Sequence, residues 1–330
     1  MQHQNLHVSV EALEAAALAD KPIVVMQWNI HNPREEPSEQ PEQTRWDNRF
    51  DRIVAYIRSV RPAIVCLEEI IHRGHRAQLV TSLSDLGYDC AHGQRNSTAG
   101  AMANLVAWDA SRFHLCWTEN VQLLGEPEGD RDARTLPADR HNPAGWGCNL
   151  LVVRLVERAP EELGGRLWVA PRRITVAATH FPIHVPSRDA SFDALARWIA
   201  TRPDGGDWIV AGCLNSFKDK DGPQQTAKIA AAVAKVGGVL VGHKGVSDQS
   251  GTPVEGTYFG CDHDAYRFAL GGPLDPLDYV ATGSAFGVDQ VTIGTRSMLV
   301  PEPPEFSTTD LPSDHLPVIV TISRRHPATS

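Results

Sequence analysis

Short apolar runs alternate with polar loops along the chain, and their lengths separate strands from helices. IVVMQWNI (23–30) and AIVCLEEI (63–70) are apolar and rich in β-branched residues, which predicts two buried strands. Between them, Arg45–Arg58 places Phe50, Ile53, Val54 and Ile57 at helical spacing on one face. The runs NLVAWDA, CNLLVVRLV, RRITVAATH and WIVAGCLNS predict four more strands, mostly joined by Gly/Pro-bearing loops. Ser187–Ala200, with Phe192, Leu195, Trp198 and Ile199 in phase, predicts a second helix, and Gln224–Val236 a third. DYVATG, VDQVTIG and HLPVIVTIS supply the last strands. Ahead of all these, Met1 to about Lys21 reads as an acidic, Ala-rich helix that Pro22 stops.

Strands this numerous, interleaved with helices, do not fit a simple parallel sheet. They predict two packed sheets with helices outside, a four-layer α/β/β/α sandwich. The chain shows no repeat and no low-complexity linker, so one domain is expected over residues 23–323. Residues 1–22 form an N-terminal extension and 324–330 a tail. HNPREEPSEQPEQT, with three prolines, is a solvated loop.

Composition narrows the function classes. A hydrophobic fraction of 42% and a charged fraction of 22% belong to a soluble globular protein with a sizeable core. A net charge of −9, with no long Lys/Arg run, argues against tight, sequence-independent binding to long duplexes. A small phosphorylated molecule or a nucleic-acid end suits that balance better. The six cysteines stand far apart without a Cys-x-x-Cys pair, so zinc ribbons and redox motifs have no support. No basic-then-apolar leader opens the chain, and no run approaches the ~20 apolar residues of a membrane helix. A cytoplasmic protein with free thiols and no membrane partner is the expectation; nothing in the sequence sets its oligomeric state.

Several strands end in polar, metal-capable residues. Asn29 ends the first, Glu68 and Glu69 the second, His180 a third, and Cys213 with Asn215 a fourth. Asp278 opens a strand, and Asp314 and His315 immediately precede the last. Side chains at strand ends on one sheet edge converge on one cleft. Carboxylates and amide oxygens are the hard donors that Mg²⁺ or Mn²⁺ prefers. Histidines beside them suit acid/base work or stabilisation of a phosphoryl oxygen. Taken singly, each has a bland reading: Asn29 as a strand-end cap, His180 as a satisfied core histidine, Asp314-His315 as a turn. Other histidines, including His31 and His263 beside Cys261, fall at no informative spacing.

The ordered set WNI (28–30), LEE (67–69), TH (179–180), GCLN (212–215), LDY (277–279) and SDHLP (313–317) resembles the endonuclease/exonuclease/phosphatase superfamily, whose fold is DNase I-like. The resemblance runs from about residue 23 to 322 and implies a metal-dependent phosphoesterase acting on a phosphodiester or phosphomonoester, with Mg²⁺ or Mn²⁺ as cofactor. It implies Asn29, Glu69 and Asp314 as the metal residues. It also implies His180 against a non-bridging phosphate oxygen, and Asn215 on the scissile phosphate or the attacking water. Asp278 would orient His315, which would stabilise charge on the pentacovalent phosphorus. Arg188, eight residues after His180, would be structural or phosphate-facing. Glu68, where the family often has Gln, would be a neighbour rather than a ligand.

One position departs. The family pattern reads Gly-Asp-(Phe/Leu)-Asn, whereas here it reads Gly212-Cys213-Leu214-Asn215. The absent Asp is the residue implied to position and deprotonate the attacking water. A thiol ordinarily titrates near ~8.5 and is a soft, poor Mg²⁺ ligand, and nearby carboxylates should raise its pKa. Three explanations stay open: a change introduced at this position, a slow or impaired hydrolase, or a site repurposed for non-hydrolytic biosynthetic chemistry or ligand binding. A Cys213 nucleophile is the least favoured, since no cation stands next to it in sequence.

Overall fold

The computed structural model describes residues 21–31, 46–71, 73–94, 102–123, 148–158, 172–183, 185–201, 206–216, 222–241, 257–258, 277–294, 313 and 315–325. The N-terminal helix, the acidic loop 32–44, Cys261, His263, Asp314 and most of the C-terminal tail lie outside them.

Among the described residues, twelve strands form two six-stranded sheets. In the first, β11 (Phe286–Ile293), β12 (Val318–Arg324), β1 (Ile23–Asn29), β2 (Ile64–Ile70), β4 (Ala103–Asp109) and β3 (Tyr88–Gln94) lie side by side in that order. In the second the order is β5 (Phe113–Gln122), β6 (Asn149–Glu157), β7 (Arg173–His180), β8 (Trp208–Cys213), β10 (Asp278–Thr282) and β9 (Val239–Val241). Two strand pairs, β1–β2 and β7–β8, are parallel; the remaining pairs in both sheets are antiparallel.

Alternation along each strand sorts its side chains into layers. Met26, Trp28, Val65 and Leu67 turn outward onto helices α1 (Trp46–Val60) and α2 (Arg73–Asp85), meeting Ile53, Ile57, Leu79 and Leu83. Val152, Ala177, Trp208 and Val210 turn outward from the other sheet onto α3 (Val185–Ala200) and α4 (Gly222–Lys235), meeting Phe192, Leu195, Ile229 and Val233. The intervening positions, among them Ile23, Val25, Ile64, Cys66, Trp108, Val153, Val176, Ala178, Ile209, Ala211 and Val280, fill the space between the sheets. The architecture is therefore the four-layer sandwich.

The sequence pattern misses three strands and one helix. β3 and β5 are sheet edges; β5 buries only Phe113 of its ten residues, so it carries no apolar run. β9 is three residues long. Helix α2 has only Leu79 and Leu83 buried, one pair four residues apart, too sparse a stripe to announce itself. Two predicted strands are also too long. β8 ends at Cys213, leaving Leu214–Ser216 outside the sheet. Strand β12 starts at Val318, because Pro317 cannot donate to the ladder; His315 instead makes an isolated bridge with Tyr258.

Candidate active site

The inter-sheet rows change character at one end. On β1 the inward positions Ile23 and Val25 give way to Gln27 and Asn29, and on β2 Ile64 and Cys66 give way to Glu68. On β7, Val176 and Ala178 lead to His180; on β8, Ile209 and Ala211 lead to Cys213. Register brings these termini together: Asn29 pairs with Glu68, His180 with Cys213, and Cys213 with Asp278. Gly212 permits this. A Cβ there would lie 1.9 Å from the Thr179 carbonyl oxygen, so only glycine lets β8 approach β7 so closely.

Glu69 is out of step with simple alternation. A bulge between Leu67 and Ile70 and a left-handed backbone (φ 63°) swing its carboxylate into the cleft. There Glu69 Oε1 accepts Asn29 Nδ2 at 3.0 Å and lies 3.3 Å from His180 Nε2 on the facing sheet. His180 Nε2 is also 3.2 Å from Asn215 Nδ2, which donates to the Phe181 carbonyl at 2.6 Å. Of the four non-glycine residues with positive φ among the described residues, His31, Glu69 and Asn215 all flank this cleft. Backbone strain of this kind persists where the surrounding structure fixes a functional geometry.

The second half of the cleft is a buried dyad. His315 Nδ1 sits 2.7 Å from Asp278 Oδ2. Two residues that the motifs did not flag complete it. Thr257 Oγ1 donates to the same Oδ2 at 2.5 Å, and Gln27 Nε2 bridges Asp278 Oδ1 at 2.8 Å and Glu68 Oε2 at 2.9 Å. Gln27 was detectable as a polar inward position inside the apolar run of β1. Thr257 gave no signal, because its neighbours carry no periodic pattern. Ser313 fastens the dyad to β1, donating to the Asn29 carbonyl at 2.7 Å and accepting the His315 N–H at 3.1 Å. Trp28 Nε1 donates to the His315 carbonyl at 2.9 Å.

Electrostatics divide the carboxylates. Burial would raise the pKa of Asp278, but His315 and the hydrogen bonds from His315, Thr257 and Gln27 outweigh it, holding Asp278 ionised below its ordinary range. Burial pushes Glu68 well up, and the charge of Asp278 adds to the rise. Cys213 is fully buried; burial first, then Asp278, Glu69 and Glu68, push its thiol well up against one opposing hydrogen bond from the Asn215 backbone N–H. It is a neutral thiol at physiological pH, without the ionisation that a nucleophile requires. Arg188 is wholly buried too, and its Nη1 donates to the Asn215 carbonyl at 2.6 Å, bracing the turn after β8.

A model of the endonuclease/exonuclease/phosphatase family matches residues 26–315. The chain belongs to that family. No curated protein matches it significantly. Among solved structures, the human Nocturnin catalytic domain with bound sulfate is 18% identical, at a TM-score of 0.59, over 92% of this chain and 95% of that one. The Bacteroides thetaiotaomicron mannosyl-6-phosphatase Bt3783 is 13% identical, at 0.64, over 91% of this chain and 99% of its own. D. rerio TDP2 complexed with single-strand DNA product is 14% identical, at 0.59, over 92% of this chain and 100% of its own. At these identities the likeness is one of fold.

Family members generally depend on a divalent metal, and the donors here suit one. Glu69 brings a carboxylate to these strand ends, the hard-donor chemistry of Mg²⁺ or Mn²⁺; Asn29 turns its amide N–H to that carboxylate and its amide oxygen to the His31 N–H at 3.0 Å. No described helix is long and apolar enough to cross a membrane.

Proposed function

We propose that this family member is a divalent-metal-dependent phosphoesterase whose hydrolytic step is slowed by Cys213. Glu69 and Asn29, with Asp314, would hold the cation, which when bound supplies Lewis-acid polarisation of a phosphoryl oxygen. His180 Nε2 and Asn215 Nδ2, which lie 3.2 Å apart and contact each other, would both turn to a non-bridging phosphoryl oxygen when substrate is bound. Asp278 fixes the ring of His315 so that its other face meets the charge developing at phosphorus. The step left without a dedicated group is removal of the water's proton.

The observation that carries this reading is the neutral, buried thiol of Cys213, paired in register with Asp278 on one side and His180 on the other. A carboxylate there would offer two charged acceptor oxygens, whereas the thiol offers one weak acceptor. A positioned general base typically contributes ~10²–10⁴-fold in rate. The net charge of −9 favours a small phosphorylated molecule or a nucleic-acid end over long duplexes. The mannosyl-6-phosphatase and the DNA-product complex among the structural relatives span those two classes.

The test is Mn²⁺-dependent hydrolysis of bis-p-nitrophenyl phosphate by the parent chain and by Cys213→Asp. The Asp variant is expected to be faster by at least about tenfold, on the general-base scale. Equal rates, with robust hydrolysis by the Cys form, would overturn the reading. Loss of a native activity without gain of hydrolysis would point instead to a repurposed site.

A further inference from the structure

We propose that Cys213, His315 and Asp278 form a site for a thiophilic transition-metal cation of the zinc class, chemically separate from the oxygen donors Glu69 and Asn29. One ligand atom from each of the three, a sulfur, a ring nitrogen and a carboxylate oxygen, lies within 4.8 Å of the other two. All three residues are buried, and they come from the end of β8, the start of β10 and the segment before β12. Tertiary structure, not a local turn, assembles them.

The donor set decides the cation class. Sulfur and imidazole select zinc-like ions, while Mg²⁺ gains little from either. An aspartate at position 213 would make the cluster oxygen-rich and hard; the cysteine turns the same geometry soft. Three protein ligands leave a fourth tetrahedral position for solvent or a substrate oxygen, the arrangement of catalytic rather than structural zinc. The surroundings favour a dication. Asp278 and Glu69 place negative charge near the sulfur. Thr257 and Gln27 hold both oxygens of Asp278, giving the carboxylate the outer support that ligating carboxylates need. On binding, the S–H bond of Cys213 breaks, an S–metal bond forms and the proton passes to solvent; a doubly protonated His315 likewise releases one ring proton to solvent before its nitrogen ligates.

This inference does not depend on hydrolysis, and its test needs no substrate. Cd²⁺ is titrated into the full chain while ultraviolet absorption reports sulfur-to-metal charge transfer. One equivalent of band is expected, displaced by Zn²⁺ but not by a large excess of Mg²⁺. The band should vanish in Cys213→Ser and in Cys213→Asp, each checked for its fold by circular dichroism. His315→Ala should weaken Cd²⁺ at least tenfold. Cys66→Ser and Cys148→Ser, at the two other buried thiols among the described residues, should keep the band. Glu69→Gln should keep the one-equivalent band while weakening Mn²⁺ at least tenfold, which separates this site from the proposed magnesium-type site. No band, a band that survives either Cys213 variant, or displacement by Mg²⁺ would overturn the proposal.

Discussion

At one end of the inter-sheet layer, Ile23, Val25, Ile64, Trp108, Val153, Leu155 and Ile174 fill the gap between the sheets with aliphatic and aromatic volume. At the other end, the same strands bury Gln27, Asn29, Glu68, His180, Cys213 and Asp278. The apolar end stabilises the fold in proportion to area removed from water. The polar end gains nothing of that kind. It must satisfy buried groups through specific bonds, and it does so through a chain running from Glu68 through Gln27 and Asp278 to His315. One set of strands thus divides its labour along its length, and substitutions at the two ends should separate stability from function.

Alkaline unfolding should be the largest effect, and it draws on both ends. Burial pushes Tyr88 and Cys90 up to about 12, from ordinary values of 10.0 and 9.0. It also raises Cys66 at the apolar end and Cys213 at the polar end. The unfolded chain loses these protons first. Stability is therefore intact below about pH 9 and falls as pH rises above it, by more than about 1 kcal/mol per unit for a fully buried group. Urea midpoints measured from about pH 8 to 11 should decline throughout the upper half of that range. A flat profile would show that the thiols are not buried as described.

Trp108→Ala at the apolar end should cost about 3–5 kcal/mol, read from denaturant melts, with metal affinity per folded molecule unchanged. At the polar end, Thr257→Val keeps side-chain volume but removes a donor from Asp278 Oδ2. It should cost about 1–3 kcal/mol in stability and shift the pH–rate profile, an outcome that a purely packing role would not give. Glu69→Gln keeps side-chain volume and an oxygen acceptor for Asn29, so it should cost no more than about 1 kcal/mol in stability. Calorimetry should nevertheless show Mn²⁺ bound at least about tenfold more weakly, roughly 1.4 kcal/mol. If Trp108→Ala disturbed metal affinity and Glu69→Gln disturbed stability instead, the division of labour would be wrong.

Much of this was legible in the chain. The β-branched runs and the helical spacing of Ile53, Val54 and Ile57 located the interior strands and α1, because buried elements must be apolar on their buried faces. Edge strands β3 and β5 escaped detection for the converse reason: only two of seven residues in β3 and one of ten in β5 are buried, so no periodic signal forms. At the cleft, the family motifs located Asn29, Glu69, His180, Asn215, Asp278 and His315. Their positions in sequence alone did not reveal the bulge that redirects Glu69, nor the bracing of Asn215 by Arg188.

The order of apolar and polar residues determined the layers of this protein and marked the strand ends where polar side chains stand, since burial of one strand face is a local pattern readable along the chain. Convergence was decided only by tertiary structure. The pairing of Cys213 with Asp278 links residues from strands that are distant in sequence. The reach of Thr257 to Asp278 crosses from a segment with no pattern of its own. Hydrogen bonds at 2.5–3.3 Å depend on register, bulge and backbone strain, and the energies that fix those come from the packing of two whole sheets rather than from any one segment.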